Sequence, residues 1–90
     1  MKFTWHPRKA TANLKKHKVS FDEGSTIFAD PLAATIPDPE HSISESRFVT
    51  TGVSSLGRLL VVCYCEEEQD HIHIISAREA TPHERKQYES

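Results

Sequence analysis

The stretch His71-Ile72-His73-Ile74-Ile75-Ser76-Ala77-Arg78 decides how the rest of the chain is interpreted. It is dense in β-branched residues, and this pattern predicts a central strand of a β-sheet. With the two-residue period of a strand, Ile72 and Ile74 fall on one face, whereas His71, His73 and Ile75 fall on the other. One face therefore suits a hydrophobic core, and the opposite face suits polar chemistry.

The size of the chain limits its architecture. Its 90 residues predict a single domain over residues 1–90, with a core small enough that an oligomer or a partner chain often adds stability. The longest apolar run, from Leu59 to Cys65, has the length of a strand and not of a membrane span. The first residues lack the apolar segment and cleavage site of a signal peptide. We therefore expect a cytoplasmic protein without membrane association, and we expect no cofactor.

The net charge of −2 conceals an uneven distribution along the chain. Residues 1–18 contain six lysines and arginines and no acid, whereas residues 22–45 contain six acids and no lysine or arginine. A basic stripe of this kind can follow a phosphate backbone, which makes Lys9 and Lys16 candidate RNA-binding residues. The same stripe can equally be the solvated face of a helix, and this alternative stays open.

Two helices and two short strands are predicted for the first half of the chain. Pro7 suits the first turn of a helix because its missing N–H would be unpaired there anyway. Ser20 opens an S-x-x-E capping box, and the residue before Pro31 is pushed out of the helical region, which ends the second helix. The predicted elements are a strand over Lys2–Trp5, a helix from about Pro7 to His17 with Ala10, Asn13, Leu14 and His17 facing inward, a helix from about Phe21 to Phe28, a strand over Leu32–Ile36, and a mobile turn-rich loop over residues 37–42.

The second half is predicted to be strand after strand, with one helix at the end. Strands are expected from Arg47 to Val53, from Arg58 to Cys65 and from His71 to Arg78, separated by a hairpin turn over residues 54–57 and a loop over residues 66–70. Thr81 starts a T-x-x-E capping box for a helix that runs to about Tyr88. The fold class is therefore α+β, in the order β-α-α-β-β-β-β-α, with a mostly antiparallel sheet and helices packed on one side.

The chain also resembles a known family along nearly its whole length. No single motif is diagnostic, but many residues occur in the family's order and spacing, and together they resemble the BrnT toxins of bacterial type II toxin–antitoxin systems. The residues that carry the resemblance are Trp5, Pro7, Lys9, Asn13, Lys16, His17, Val19, Ser20, Phe21, Phe28, Asp30, Pro31, Glu45, Arg47, Gly52, Gly57, Arg58, Ile74, Ile75, Ser76, Ala77, Arg78, Ala80, Thr81, Glu84, Arg85, Tyr88 and Glu89.

The resemblance implies a fold, an activity and a partner. It implies a RelE-like fold and a ribonuclease that stops translation. It also implies neutralisation by a BrnA-type antitoxin, which binds DNA, so that this chain would contact DNA only indirectly through the antitoxin. A homodimer or a toxin–antitoxin heterotetramer would be compatible with these expectations.

Several positions depart from the family pattern. His6 stands where members usually have the aspartate of W-D-x-x-K, and Lys18 stands where they usually have glycine. Glycine at such a position adopts positive φ at little cost, so Lys18 predicts strain or a shifted helix end. Glu67, His73 and Glu79 stand where members tend to be basic. Three potential cations have thus become two acids and one histidine.

Metal-independent RNA cleavage requires a base for the 2′-hydroxyl, an acid for the 5′-oxygen and cations for the phosphoryl oxygens. Arg78 and Arg47 are the predicted phosphate clamps, because guanidinium matches phosphate with two parallel hydrogen bonds. His73 is the predicted acid or base, since histidine ordinarily titrates near working pH. Glu66 is a further candidate base, and Tyr88 a candidate acid or stacking ring. The predicted RNA-binding residues are Arg58, His71, Lys9, Lys16 and Arg85.

Each candidate has a structural alternative. Arg47 can pair with Glu45 or a cross-strand acid, Arg78 can bind loop carbonyls, and the histidines can be half-exposed strand residues. His-x-His on one strand face can also hold a transition metal, but the spacing of the other possible ligands does not complete a zinc site. Cys63 and Cys65 lie two apart in an apolar run, which favours reduced, buried thiols over a redox pair.

These observations predict an endoribonuclease toxin that acts on RNA and is held inactive by an antitoxin. The competing interpretation is a degenerate toxin that has lost catalysis and persists as an antitoxin-binding or co-repressor subunit. The substituted basic positions favour the second interpretation. If activity exists, we expect it to change between about pH 5.5 and 7.5, where histidine ordinarily titrates.

Overall fold

The computed structural model describes residues 1–38 and 46–90, and within them the chain forms an α+β fold around a five-stranded sheet. Every predicted strand and helix is present, with changed ends and one added 3₁₀ helix. The elements are β1 (Lys2–Trp5), α1 (Pro7–His17), α2 (Phe21–Ser25), a 3₁₀ helix (Thr26–Ala29), β2 (Ala34–Pro37), β3 (Arg47–Val53), β4 (Leu59–Glu68), β5 (His71–Glu79) and α3 (Pro82–Glu89).

The sheet is mixed, with the strand order β1-β5-β4-β3-β2. β2 through β5 pair antiparallel with their neighbours, as predicted, but β1 pairs parallel with β5. The chain leaves β1 through the helices and then runs through β2, β3 and β4 before β5 lies beside β1 in the same direction. β5 therefore lies inside the sheet, although β4 and not β5 is its middle strand.

The core lies between one face of the sheet and the helices α1 and α2. The nine residues of the main cluster come from the α2 region and from alternate positions of β4 and β5, so the predicted inward positions of Ile72 and Ile74 are confirmed. Trp5 packs edge-on against Phe21 with ring centroids 5.9 Å apart. Burying a side chain such as Phe21 contributes about 1.5–3 kcal/mol. The cluster comprises Val19, Phe21, Ile27, Leu60, Val62, Tyr64, Ile72, Ile74 and Ala77.

The buried side-chain amide of Asn13 connects helix α1 to β5 by hydrogen bonds. Asn13 Nδ2 donates to the carbonyls of Val19 and Ala77 at 2.9 and 2.8 Å, and Asn13 Oδ1 accepts the Ala77 N–H at 3.2 Å. The prediction that Leu14 also faces inward is wrong, because its side chain is 49% exposed. The amide interactions rotate α1 so that Asn13, and not Leu14, faces the sheet.

The ends of the helices follow the residues that cap them. α1 ends at His17. Its C-cap residue, Lys18, adopts a left-handed φ of 59°, which agrees with the prediction that this position suits glycine. Ser20 accepts the Glu23 N–H at 3.0 Å. The reciprocal half of that predicted capping box is not formed, because the Glu23 carboxylate binds Arg58, whose charge makes the stronger hydrogen bond. The capping box between Thr81 and Glu84 is complete.

Three other predicted boundaries change. The second predicted helix is α-helical only to Ser25 and continues as the 3₁₀ helix. The strand predicted from Leu32 begins at Ala34, since the Asp30 carboxylate holds the Leu32 N–H at 2.9 Å in a turn. The loop predicted over residues 66–70 is reduced to a two-residue turn, because β4 continues to Glu68. Residues 39–42 of the predicted mobile loop, and Glu45, lie outside the described residues.

Helix α3 does not join the other two helices, so the prediction that the helices share one side is wrong. It lies against the opposite face of the sheet, which we call the outer face. This face carries the side chains of Ala34, Ile36, Val49, Thr51 and Val61, which line a cavity together with residues of α3. None of the helices in the described part of the chain is both long and apolar enough to cross a membrane.

Candidate active site on the outer face

A β-bulge brings the predicted site residues of β5 to the same face. Tyr64 pairs with Ile74 and Cys63 pairs with Ser76, so Ile75 is an extra residue on β5. Strict alternation would place Arg78 on the face opposite His71 and His73. The extra residue reverses the alternation, and all three side chains lie on the outer face.

Four adjacent strands contribute one row of polar side chains to this face. Thr4 is the Cα partner of His73, which pairs with Cys65, which in turn pairs with Arg47. Neighbouring strands lie about 4.8 Å apart, so the Cα atoms of His73 and Arg47 are roughly 10 Å apart across β4. The structure thus brings two predicted catalytic residues, His73 and Arg47, within side-chain reach of one another.

The two histidines share a hydroxyl partner. Thr4 Oγ1 lies 2.9 Å from His71 Nε2 and 2.9 Å from His73 Nδ1. The His71 ring nitrogen also lies 3.6 Å from Glu67 Oε1 across the β4–β5 turn. Since His73 uses Nδ1 for Thr4, its Nε2 is the nitrogen through which it can act on a substrate.

Arg78 lies on the outer face, but its guanidinium is bound by Glu84 of α3. Arg78 Nη1 and Nη2 donate to Glu84 Oε1 and Oε2 at 2.8 and 2.9 Å. These paired hydrogen bonds lower the pKa of Glu84 to about 2 and raise the pKa of Arg78. The carboxylate occupies the two-armed geometry that a phosphate would use.

Tyr88, near the C-terminal end of α3, forms a hydrogen bond with Asp30. Its hydroxyl donates to Asp30 Oδ2 at 2.5 Å, and the same carboxylate oxygen accepts the Val53 N–H at 2.8 Å. The hydrogen bond to Asp30 raises the pKa of Tyr88, so the phenol keeps its proton more firmly than an ordinary tyrosine does. The same bond lowers the pKa of Asp30.

A cavity of about 370 Å³ opens between α3 and the strands β2, β3 and β4. Its floor is formed by small and aliphatic side chains of the sheet, and its wall is formed by α3. Glu84 and Tyr88 therefore line the cavity and also bind α3 to the rest of the protein. The lining residues are Ala34, Ile36, Val49, Thr51, Val61, Glu84, Gln87 and Tyr88.

Glu66 and Arg58 do not join the outer-face residues. Glu66 is the Cα partner of Ile72, a core residue, so Glu66 is on the face opposite His73. Arg58 Nε donates to Glu23 Oε2 at 2.9 Å, its Nη2 donates to Glu23 Oε1, and it binds the Lys18 carbonyl at 3.0 Å. Its hydrogen bond to Glu23 lowers the pKa of that carboxyl. Arg58 thus contributes to the packing between α2 and the β3–β4 turn.

The remaining predicted RNA-binding residues lie elsewhere on the surface. Lys9 and Lys16 are exposed on α1, in the layer behind the sheet. Arg85 is exposed on α3 and lies 3.8 Å from Glu89. The basic stripe of α1 and the outer-face cluster are therefore on opposite sides of the sheet.

The cysteines also belong to the outer face. Cys63 Sγ lies 3.7 Å from Asp38 Oδ2, and burial, followed by the charge of Asp38, raises the pKa of this thiol. Neither Cys63 nor Cys65 forms a disulfide within the described residues. In residues 1–38 and 46–90, His, Cys, Asp and Glu form no group of three or more that could hold a metal ion.

The sequence did not reveal three contributors to this site. In the sequence pattern, Thr4 is only part of a strand, Glu84 is a capping residue, and Asp30 is the residue that ends a helix. Alternation on β1 does separate Thr4 from Phe3 and Trp5, which was the available signal. Its partners could not be deduced, because they depend on the parallel pairing of β1 with β5.

Residues 5–84 match the family model described as the ribonuclease toxin BrnT of a type II toxin–antitoxin system. The chain belongs to the BrnT family. The resemblance found in the sequence is therefore confirmed over most of the chain.

A solved structure supports the fold of this BrnT-family chain. The 1.1 Å crystal structure of the Brucella abortus ribonuclease toxin BrnT superposes with a TM-score of 0.71 at 20% sequence identity, covering 90% of this chain and 97% of the other. No curated protein matches the sequence. In this BrnT-family chain, His73 and Glu67 lie at the outer face, whereas Glu79 is the Cα partner of the core residue Leu60 and lies 3.6 Å from Arg58 on the opposite face.

Proposed function

We propose that this BrnT-family chain is an endoribonuclease toxin that cleaves RNA without a metal ion and thereby stops translation. The observation that carries the proposal is that His73, Arg47 and Arg78 share the outer face of the sheet. An extended RNA strand lying across β3, β4 and β5 would meet a titratable ring and two guanidinium groups. The RelE-like relationship of the fold is part of the same proposal.

The roles follow from the positions of these groups. His73 Nε2 exchanges a proton with the 2′-hydroxyl or the leaving 5′-oxygen. His71 does not contact the substrate in this scheme and is linked to His73 by the hydrogen bonds of Thr4. Arg47 and Arg78 neutralise the phosphoryl oxygens. Tyr88 borders the same cavity and offers a ring surface for a base, since its hydroxyl is bound to Asp30. Glu66, on the other face, has no part in this scheme.

The type II family implies an antitoxin partner for this chain. We propose that the partner is a BrnA-type protein, that DNA is contacted only through it, and that the complex forms in the cytoplasm. A homodimer or a toxin–antitoxin heterotetramer is the proposed assembly. A short reading frame beside this gene, encoding a ribbon-helix-helix-like protein, would support the partner assignment.

A second function is favoured by one specific contact. Glu84 occupies the guanidinium of Arg78, the predicted phosphate clamp. A chain whose clamp is neutralised, and whose β4 ends in Glu66, Glu67 and Glu68, could serve as a non-catalytic antitoxin-binding or co-repressor subunit. Both functions require the antitoxin, and they differ in RNA cleavage.

Expression of the chain without any partner distinguishes the two functions. We expect growth arrest and fragmented RNA, both abolished by Arg78→Ala and by His73→Ala with the proteins still soluble. Arg8→Ala and His6→Ala, which change exposed residues on the α1 side of the sheet, are the matched controls and should remain toxic. Intact RNA and normal growth with folded protein that still binds the antitoxin would establish the second function. Toxicity that survives both outer-face substitutions would show that the site is elsewhere.

A further inference from the structure

Thr4 places a single hydroxyl between two imidazole rings. Its Oγ1 lies 2.9 Å from both His71 Nε2 and His73 Nδ1. A hydroxyl donates one proton, and a neutral imidazole has one N–H and one nitrogen that accepts. Thr4 therefore cannot donate to both rings, and one ring must donate its N–H to Thr4.

When the Thr4 hydroxyl donates its proton to one of the two rings, two arrangements remain for the neutral pair, whereas if both rings donate to Thr4 its proton goes to solvent and the rings are not coupled. In the first, His71 Nε2–H donates to Thr4, whose hydroxyl donates to His73 Nδ1, so that His73 carries its own proton on Nε2. In the second, Thr4 donates to His71 Nε2 and accepts from His73 Nδ1–H, which leaves His73 Nε2 as a free base. In both of these arrangements the rings carry their protons on the same-named nitrogen, and as long as Thr4 donates to a ring, one ring cannot change without the other.

The charges around His71 select between the two arrangements. Glu67 Oε1 lies 3.6 Å from His71 Nε2, and a carboxylate favours an N–H over a lone pair at that distance. The other charged or titratable groups opposite the pair are Lys2 on β1 and Glu68 on β4, both facing His71, and Cys65 on β4, facing His73. Since the Glu67 carboxylate is the group close to the nitrogen that binds Thr4, the first arrangement is favoured.

We propose that Thr4 is a positioning residue that transmits the charge at residue 67 to His73, fixing whether His73 Nε2 faces the substrate as a proton donor or as a proton acceptor. The coupling itself requires that the Thr4 hydroxyl donate to one of the two rings that it contacts. Its importance for cleavage rests on the proposed function. With Glu67 present, neutral His73 offers an N–H to a phosphate, and it becomes a base only when both rings exchange their protons.

Nitrogen NMR of the histidine rings tests the coupling. At about pH 8.5 an ordinary histidine is neutral, and the spectrum shows which nitrogen carries the proton. We expect protons on Nε2 of both rings in the wild-type chain. Glu67→Lys places an ammonium beside His71 Nε2, and we expect it to move the proton of His73 to Nδ1 although residue 67 does not contact His73.

Two Thr4 variants and one charge control complete this experiment. Thr4→Val keeps the β-branched shape but lacks the hydroxyl, so adding Glu67→Lys should then leave His73 unchanged. Thr4→Ser should restore the response. Glu66→Lys makes the same charge change on the opposite face and should move neither proton. A His73 proton that ignores Glu67→Lys, or that responds equally in the Thr4→Val background, would overturn the coupling.

Cleavage assays of the same proteins separate this inference from the proposed function. We expect Thr4→Val to lower the cleavage rate by up to about a hundredfold, the lower end of what acid–base catalysis contributes, and Thr4→Ser to retain most of it. Unchanged cleavage by Thr4→Val would overturn the positioning role. Coupled protons in a wild-type chain that cleaves no RNA would refute the proposed function and leave the coupling intact.

Discussion

Arg78 of β5 and Glu84 of α3 form a two-armed ion pair, with both guanidinium Nη atoms donating to the two carboxylate oxygens at 2.8 and 2.9 Å. Glu84 also accepts the Thr81 N–H at 2.9 Å, which completes the capping box of α3. One carboxylate therefore both starts the helix and fixes it to the outer face. The proposed phosphate-binding cation and the anchor of α3 are the same side chain, so RNA binding as proposed would compete with the docking of α3.

Glu84→Gln should release Arg78 for phosphate while preserving the cap, because the Gln oxygen can still accept the Thr81 N–H. We expect single-stranded RNA to bind several-fold more tightly, in line with about 0.5–1 kcal/mol for a partly exposed ion pair. Fluorescence anisotropy at two salt concentrations measures this gain. Glu89→Gln removes the same charge from the same helix beside Arg85 and should change affinity little. Equal gains in both variants would attribute the effect to net charge and not to Arg78.

The same ion pair predicts how stability depends on pH. Arg78 lowers the pKa of Glu84 to about 2 in the folded chain, from an ordinary value of 4.5. A carboxyl whose pKa falls on folding stabilises the folded state fully above its unfolded pKa, and this contribution disappears as the pH drops through the folded pKa. The free energy of unfolding should therefore favour wild type over Glu84→Gln above about pH 4.5, with the difference shrinking towards pH 2. A constant difference across that range would contradict the ion-pair assignment.

Arg58 is predicted to be more important for stability than for RNA binding. Glu23 is 7% exposed, and it accepts hydrogen bonds from Arg58 and from the Ser54 hydroxyl at 2.7 Å. Arg58→Ala would leave this carboxylate without its cation, which should cost about 2–4 kcal/mol of unfolding free energy in urea titrations. Glu23→Gln combined with Arg58→Ala should cost less than the sum of the single changes. A stable Arg58→Ala protein with weakened RNA affinity would instead support the RNA-binding role suggested by the sequence.

The sequence was informative where structure is decided by near neighbours along the chain. The alternation of His71 to Ile74 predicted the faces of β5, and Thr81 with Glu84 predicted the start of α3. The position of Lys18 predicted the left-handed helix end. Each of these depends on a local period, a capping hydrogen bond or one backbone angle, and such effects operate within a few residues.

The site was less predictable because it depends on pairings between distant residues. The parallel alignment of β1 brings Thr4 to the histidines, and the bulge at Ile75 puts Arg78 on their face. Neither the register nor the bulge leaves a signal in the hydrophobic pattern. The capping motif of α3 likewise gives no direction for its docking, which is set by Arg78 and Asp30.

Lys18 offers a test of backbone strain with a built-in comparison. It closes α1 with φ 59° and ψ 30°, and its N–H donates to the Leu14 carbonyl at 2.9 Å. A non-glycine residue pays about 1–2 kcal/mol in this left-handed region, whereas glycine enters it freely. Relief of this strain in Lys18→Gly should therefore raise the free energy of unfolding by about 1 kcal/mol. The greater conformational entropy of glycine in the unfolded chain reduces this gain. Lys16→Gly makes the same change inside α1 and should lower the free energy of unfolding by about 1 kcal/mol. Thermal unfolding of the two variants should move in opposite directions, and destabilisation by both would show that the left-handed end of α1 carries no strain.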